Sequence, residues 1–105
     1  MKGICLKFYA YEFQKHRGIL LYEWLLEFAK KEGVEGGTAF RAIAGFGRHK
    51  NLHEEHFFEL AANVPIEVTF ILDKKDSSQF LEVLKKEKLD LFYTKTAIEY
   101  EDLNA

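Results

Sequence analysis

The residues Gly45, Gly47, Arg48, His49 and Lys50 fall within six consecutive positions and form the stretch best suited to binding chemistry. Glycine can adopt backbone conformations closed to other residues and lets a ligand approach the main chain closely. Turns built this way direct several backbone N–H groups into one hollow, which suits an anion. Because three potential cations follow the glycines, the stretch suggests a site for a phosphate or another anion. The alternative is a strand end with a solvated basic tip, since short glycine motifs are weak evidence.

The histidines that follow form a second group of side chains with possible chemistry. His49, His53 and His56, with Glu54 or Glu59, could offer imidazole and carboxylate ligands to zinc or copper. His53 and His56 would share a face if this stretch were helical, because residues three apart do so. No second cluster and no cysteine ligand accompanies them, and surface histidines are common. Divalent-metal binding is therefore kept as the alternative, and no residue is predicted as a metal ligand.

Catalytic groups are missing at the spacings that enzymes need. No nucleophile–base pair, pair of catalytic carboxylates or metal-hydrolase motif can be recognised. Glu54 and Glu55 are interpreted as solvated loop charges. The sequence therefore predicts a protein that is not an enzyme.

Composition and charge exclude several other classes of protein. The formal net charge of −2 argues against a nucleic-acid binder, which would normally show a basic excess. No run approaches the ~20 apolar residues of a membrane span, and the N-terminus lacks the pattern of a signal peptide. Cys5 has no partner for an intrachain disulfide, so we expect a cytoplasmic protein.

The 105 residues are enough for a packed core, and we expect residues 1–105 to form a single domain. Hydrophobic periodicity indicates four strands and two helices. The predicted strands run from Ile4 to Tyr11, from Thr38 to Ala44, from Ile66 to Leu72 and from Phe92 to Tyr100. The part of the second strand from Phe40 to Ala44 is expected to be buried.

Two stretches show the spacing of amphipathic helices. The apolar stripe of the first consists of Leu21, Trp24, Leu25, Phe28 and Ala29. Gly33 is expected to end this helix. The second helix is predicted to open at Asp76, with Gln79 three residues later as in a capping box. The side chains predicted to face inward from it are Phe80, Leu81 and Leu84.

The order strand-helix-strand-strand-helix-strand predicts an α+β fold of the ferredoxin-like type, with an antiparallel sheet and both helices on one face. The other face of the sheet is left uncovered. Its predicted occupants include Lys7, Tyr9, Tyr11, Thr69 and Ile71. This mixture is more apolar than an ordinary solvated face, and such surfaces often mark interfaces. Closed symmetric assembly is the usual solution, and a monomer with an open aromatic face is the alternative.

Several motifs, in order along nearly the whole chain, resemble the PII signal-transduction proteins. They resemble still more closely the PII-like family known as domain of unknown function 190. The matching residues are Glu12, Leu21-Tyr22, Gly36 to Arg41, Gly45 to Gly47, and Val64-Pro65.

The resemblance implies a homotrimer whose sheet faces pack around a threefold axis. It also implies that the loop 48–63 corresponds to the T-loop of PII proteins, which engages target proteins and whose base helps to bind ATP or ADP between subunits. The ligand-binding residues expected here are Thr38, Arg41, Gly45, Gly47, Arg48, His49 and Lys50. The residues expected to contact a partner protein are His53, His56, Phe57 and Phe58.

The chain departs from the PII pattern in the stretch before the last strand. PII proteins carry there a second glycine-rich loop that holds the nucleotide phosphates, whereas residues 85–92 contain no glycine. Lys85, Lys86 and Lys88 could supply charge at this place, or they could form a solvated helix end, which the helix dipole favours. The basic triplet Lys15-His16-Arg17 allows two similar interpretations, a solvated loop or a second anion contact near a helix N-terminus.

These observations together predict a small cytoplasmic homotrimeric signalling protein of the PII-like type. Its effector would be a small anion, with an adenine nucleotide as one candidate, and no cofactor is assigned with certainty. Its partner would be a protein target such as a membrane transporter. The alternative is a divalent-metal-binding trimer similar to the CutA-type proteins, although their motifs are not seen in this chain.

Overall fold

The first strand, β1 (Lys2–Tyr11), determines by its alternating sequence which face of the sheet is buried. In the computed structural model, which describes residues 1–46 and 63–104, Leu6, Phe8 and Ala10 are buried. Lys7, which lies between Leu6 and Phe8, is only half-buried. Because successive side chains of a strand point to opposite faces, one side of β1 faces the core and the other does not.

The other elements follow in the order that the periodicity predicts, with one addition. They are β2 (Lys15–His16), β3 (Ile19–Leu20), α1 (Leu21–Lys31), β4 (Gly37–Arg41), β5 (Pro65–Leu72), α2 (Lys74–Lys85) and β6 (Phe92–Glu99). The four long strands pair antiparallel in the order β4-β5-β1-β6. This topology confirms the ferredoxin-like prediction. The short hairpin β2–β3 was not predicted, because two residues per strand are too few to show a period.

Both helices pack on the same face of the sheet. Leu25 and Ala29 of α1 and Phe80, Leu81 and Leu84 of α2 belong to one buried cluster with the inward side chains of β1 and β5. These are the helix residues that the apolar stripes predict. Among residues 1–46 and 63–104, the sheet is therefore covered on one side only.

Three phenylalanine rings form the centre of this core. The ring centroids of Phe8 and Phe70 are 5.9 Å apart, those of Phe8 and Phe80 are 6.3 Å apart, and those of Phe70 and Phe80 are 5.4 Å apart. All three pairs meet edge to face, the arrangement that the ring quadrupoles favour. The cluster joins β1, β5 and α2.

The end of α1 agrees with the prediction. Gly33 has φ 92, its N–H donates to the Lys30 carbonyl at 3.2 Å, and the N–H of Val34 donates to the Ala29 carbonyl at 3.0 Å. These two bonds define a Schellman motif, in which glycine is favoured because it adopts the left-handed conformation without strain.

The predicted start of α2 at Asp76 is wrong by one turn. Asp73 is the N-cap residue, and its Oδ1 accepts a hydrogen bond from the Asp76 N–H at 2.7 Å. Asp73 directly follows the end of β5, so strand and helix are joined without a loop. Asp76 and Gln79 therefore lie inside the helix, where no capping box forms.

The predicted length and burial of the second long strand are also wrong. β4 ends at Arg41, and Phe40, Ile43 and Ala44 are exposed. The N–H of Ala42 donates to the Pro65 carbonyl at 2.9 Å, but proline has no N–H to return a bond. Antiparallel pairing therefore stops at this position.

Gly37 provides a test of how closely β4 approaches the core. A Cβ added to Gly37 would lie 2.4 Å from the ring of the buried Phe70, whereas one added to the adjacent Gly36 would meet nothing within 4 Å. We expect Gly37→Ala to lower the free energy of unfolding by about 1–3 kcal/mol through overpacking, measured by denaturant titration. The matched control Gly36→Ala should leave stability within about 0.5 kcal/mol of the parent. Equal effects of the two substitutions would contradict this packing.

Candidate functional site

Three segments of the chain meet at one end of the sheet. β1 ends at Tyr11, which pairs with Pro65 at the start of β5, and β4 ends at Arg41, which pairs with Ile66. The ends of β1 and β4 thus lie on either side of the start of β5. Residues 42–46 and 63–64 continue from this end of the sheet. The predicted anion-binding stretch begins at this place.

Glu12 lies on a tight turn that follows β1. The N–H of Gln14 donates to the Tyr11 carbonyl at 3.0 Å, and the side-chain Oε1 of Gln14 accepts from the Tyr11 N–H at 3.1 Å. These two bonds close the turn around Glu12 and Phe13. The position of the Glu12 carboxylate is therefore set by the end of the central strand.

An ion pair joins Glu12 to Arg41. The Nη2 of Arg41 donates to the Oε2 of Glu12, and the Glu12 side chain is 15% exposed while that of Arg41 is 65% exposed. Because β5 lies between β4 and β1, the arginine side chain reaches across the start of β5. Charge-assisted hydrogen bonds of this kind are stronger than neutral ones.

Backbone contacts tie residues 63–65 to the same place. The N–H of Glu12 donates to the Val64 carbonyl at 2.9 Å, and the N–H of Phe13 donates to the side-chain Oδ1 of Asn63 at 2.9 Å. On the other side, Ala42 is bonded to Pro65. Residues 42 and 63–65, which flank the predicted loop, are therefore held next to the Glu12–Arg41 pair.

The structure does not bring all the described candidate residues together. Thr38 pairs with Thr69 on the uncovered face of the sheet, whereas Arg41 pairs with the buried Ile66 on the helix-covered side. One ligand resting on a single face would not contact both side chains. Gly45 is exposed, and an added Cβ would only touch the Pro65 ring at 3.5 Å. Its φ of 158 is one that other residues rarely adopt, so the backbone conformation and not the packing favours glycine there.

The remaining candidates lie outside the described residues. They are Gly47, Arg48, His49, Lys50, His53, His56, Phe57 and Phe58. Their assignment stays a prediction. Glu12, in contrast, was not among the predicted ligand-binding residues, although its place in the family motif could have drawn attention to it.

The basic triplet before α1 forms the first half of the β2–β3 hairpin, and two of its side chains are paired. Arg17 and Gly18 have φ 53 and 83, as the central residues of a tight two-residue turn do. His16 Nε2 lies 3.1 Å from Glu87 Oε1, and Arg17 Nε donates to the same oxygen at 3.0 Å. Glu87 therefore occupies two of the three cations that were candidates for a second anion contact.

These two contacts change the acidity of the carboxylate. The hydrogen bond from His16 is the largest influence and lowers the pKa of Glu87 below its usual 4.5. Desolvation opposes this lowering, and the hydrogen bond from Arg17 adds to it. The contacts span 71 and 70 positions in sequence, so they fasten the hairpin to the end of α2.

The lysines before the last strand lie around this carboxylate. Lys85 ends α2, Lys86 is its C-cap, and Lys88 follows one residue after Glu87; all three side chains are exposed. This arrangement favours the solvated helix end over a phosphate cradle.

The uncovered face of the sheet carries Ile71, as the alternation predicts, and this side chain is 49% exposed. Phe40 and Phe92, on the two edge strands, were not predicted on this face and are 55% and 45% exposed. The rings of Tyr9 and Phe92 lie with centroids 5.6 Å apart. Glu67 also lies on this face, where its Oε2 accepts a hydrogen bond from Thr69 Oγ1 at 3.1 Å and lies 3.9 Å from Lys7 Nζ.

Two further features concern only residues 1–46 and 63–104. No helix in these ranges is long and apolar enough to cross a membrane. No group of three or more histidine, cysteine or acidic side chains there could hold a metal ion. The three histidines of the metal alternative lie outside these ranges, so that alternative is not tested.

Comparison of the sequence with known protein families identifies the family of this chain. The family model for domain of unknown function 190, described as an uncharacterized ACR family, matches residues 3–100. The chain belongs to this family. It is 38% identical over 85 residues to a UPF0166 protein of Aquifex aeolicus (strain VF5), which covers 81% of both chains. It is 33% identical over 66 residues to the UPF0166 protein MJ1524 of Methanocaldococcus jannaschii, covering 63% of this chain and 60% of that one.

A solved structure shows the same fold. The crystal structure of a protein from Thermus thermophilus, described as a PII-like signaling protein, superposes with a TM-score of 0.62 at 16% identity. The match covers 93% of this chain and 87% of that one. The family and the fold therefore confirm the resemblance to PII-like proteins.

The Glu87 contacts predict a pH-dependent contribution to stability. Because the pKa of Glu87 is lowered by folding, its charge stabilises the folded state above the ordinary value of 4.5, and this contribution is lost as the pH falls through the folded pKa. Glu87→Gln should therefore lower the midpoint of urea unfolding at pH 7, with the difference from the parent shrinking below pH 4.5. The control Glu82→Gln, an exposed position on the same helix, should show no such trend. A difference that is independent of pH would refute the assignment.

Proposed function

We propose that this protein is a PII-like regulator that assembles as a homotrimer and binds a small anionic effector at clefts between subunits. Its loop 48–63 would contact a partner protein, for which a membrane transporter is one candidate. The observation that carries the proposal is the exposed guanidinium of Arg41, which lies at the sheet end where residues flanking that loop are held.

The uncovered sheet face supports assembly. Exposed aromatic and aliphatic side chains extend from one edge strand to the other, from Phe40 on β4 to Phe92 on β6. A closed ring needs two different patches on each subunit, and a face that is apolar from edge to edge offers them. Burial of such a face would give the favourable free energy of association.

The sheet end supports an anionic effector. Arg41 uses one of its donors on Glu12, and a guanidinium carries five. The glycine stretch that starts at Gly45 could add backbone donors, and Arg48, His49 and Lys50 could add charge. An adenine nucleotide is the candidate that the family resemblance favours, although the chain lacks the second glycine-rich loop.

The role would be regulatory and not catalytic. An effector can shift the loop between conformations only if it binds one of them more tightly. The contacts of Glu12 and Phe13 with Val64 and Asn63 give the site a direct mechanical connection to one end of the loop. Binding could thus change how the loop is presented to a partner.

Calorimetry separates this function from its alternative. ATP, ADP and inorganic phosphate should be tested at low and high salt, and binding should weaken as salt rises because the contacts are charged. The double variant Arg48→Ala, Lys50→Ala should lose at least about tenfold in affinity, since it removes two charge-assisted contacts. A matched variant, Lys30→Ala, Lys31→Ala, removes the same charge from exposed positions of α1 and should bind like the parent.

Two results would contradict the proposal. One is tight zinc or copper binding that is lost in His53→Ala, His56→Ala while no nucleotide or phosphate binds. The other is the absence of binding for every anion and metal tested, which would favour a module that only contacts proteins.

A further inference from the structure

The Arg41 guanidinium is both anchored and available. It is bonded to Glu12, yet 65% of the side chain is exposed. An arginine presents its donors as a flat fork that fits a carboxylate or a phosphate with two parallel hydrogen bonds. Two anions bound to this fork have to share its single positive charge.

The Glu12 carboxylate is bound differently from most surface carboxylates. It is only 15% exposed, and it lies on the turn that closes between Tyr11 and Gln14. The backbone N–H groups of this turn, at Glu12 and Phe13, hold Val64 and Asn63. A change in the environment of the carboxylate would therefore affect Asn63 and Val64, at the end of the loop 48–63.

We propose that Glu12 is an intramolecular competitor for the effector, holding the Arg41 guanidinium in the place that a carboxylate or phosphate group of the ligand takes over. This inference rests on the proposed function and adds its regulation. Effector binding breaks the pair and frees the Glu12 carboxylate. The Glu12–Phe13 turn then moves, and its hydrogen bonds transmit this movement to Asn63 and Val64.

Charge explains why the two groups compete. Once an anion approaches Arg41, the Glu12 carboxylate is a like charge at close range, and one cation cannot neutralise both. A half-buried carboxylate that loses its partner has to be rehydrated, which requires the turn to move. The free energy that this step requires lowers the apparent affinity of the protein for the ligand. A binding-competent state that is only partly populated lowers the apparent affinity in the same way.

Glu12→Gln tests the inference, because it keeps the side-chain length and the backbone contacts but removes the charge. The dissociation constant for ATP, with inorganic phosphate as a second probe, should fall roughly three- to tenfold relative to the parent, the scale of a partly exposed ion pair. Arg41→Gln should weaken binding, and combining it with Glu12→Gln should remove the gain. Glu23→Gln makes the same change in net charge at an exposed position of α1 and should leave affinity unchanged.

A second readout follows the turn directly. In nuclear magnetic resonance titrations with ATP, the amide signals of Glu12, Phe13 and Val64 should move in the parent and move much less in Glu12→Gln, where the pair is already weakened. Thermal unfolding of each variant confirms that it is folded.

The outcomes distinguish this inference from the function on which it rests. Weaker or unchanged binding in Glu12→Gln, with clear binding by the parent, would overturn the competition and leave the effector site intact. Binding that appears only in Glu12→Gln would support it strongly. No binding of ATP or phosphate by either protein would overturn both.

Discussion

The central position of β1 is the constraint on which the rest of the structure depends. This strand is hydrogen-bonded on both sides, to β5 and to β6, and every second side chain is buried beneath the two helices. The helices cover only one face, so the same alternation that builds the core also places Tyr9 and its neighbours, which are only half-buried, on the other face. Because β1 lies next to β5, its end at Tyr11 also places Glu12 within reach of Arg41 on β4, the strand on the far side of β5.

The sheet end and the uncovered face together account for the proposed function. The ion pair of Arg41 with Glu12 crosses β5 and joins an edge strand to the turn after the central one. Residues on both sides of the loop 48–63 are bonded at this end, so a ligand that altered the pair could alter the loop. The uncovered face supplies the surface through which copies of the chain would complete the site.

The predictability of the fold from sequence depended on how regular each pattern was. Period-two alternation in β1 and β5 and the apolar stripe of α1 are long, and they identified the sheet and the core. The glycine at position 33 correctly indicated the end of α1. The errors arose where a single local contact determines where a strand ends or a helix begins. The lone proline at 65 ended β4 early, and Asp73 capped α2 ahead of Asp76. The Glu12–Arg41 pair joins residues 29 positions apart, and no local pattern indicates such a contact.

The central claim of this account is that the uncovered sheet face is where copies of the chain meet. The most direct test is light scattering coupled to gel filtration at micromolar concentration, which should report three chains of 12.3 kDa per particle. Ile71→Asp would bury an unpaired charge in the interface and should shift the protein toward the monomer. Leu103→Asp, at a residue that is 99% exposed and outside the sheet, should leave the mass unchanged. A parent protein that stays monomeric at high concentration would contradict the account.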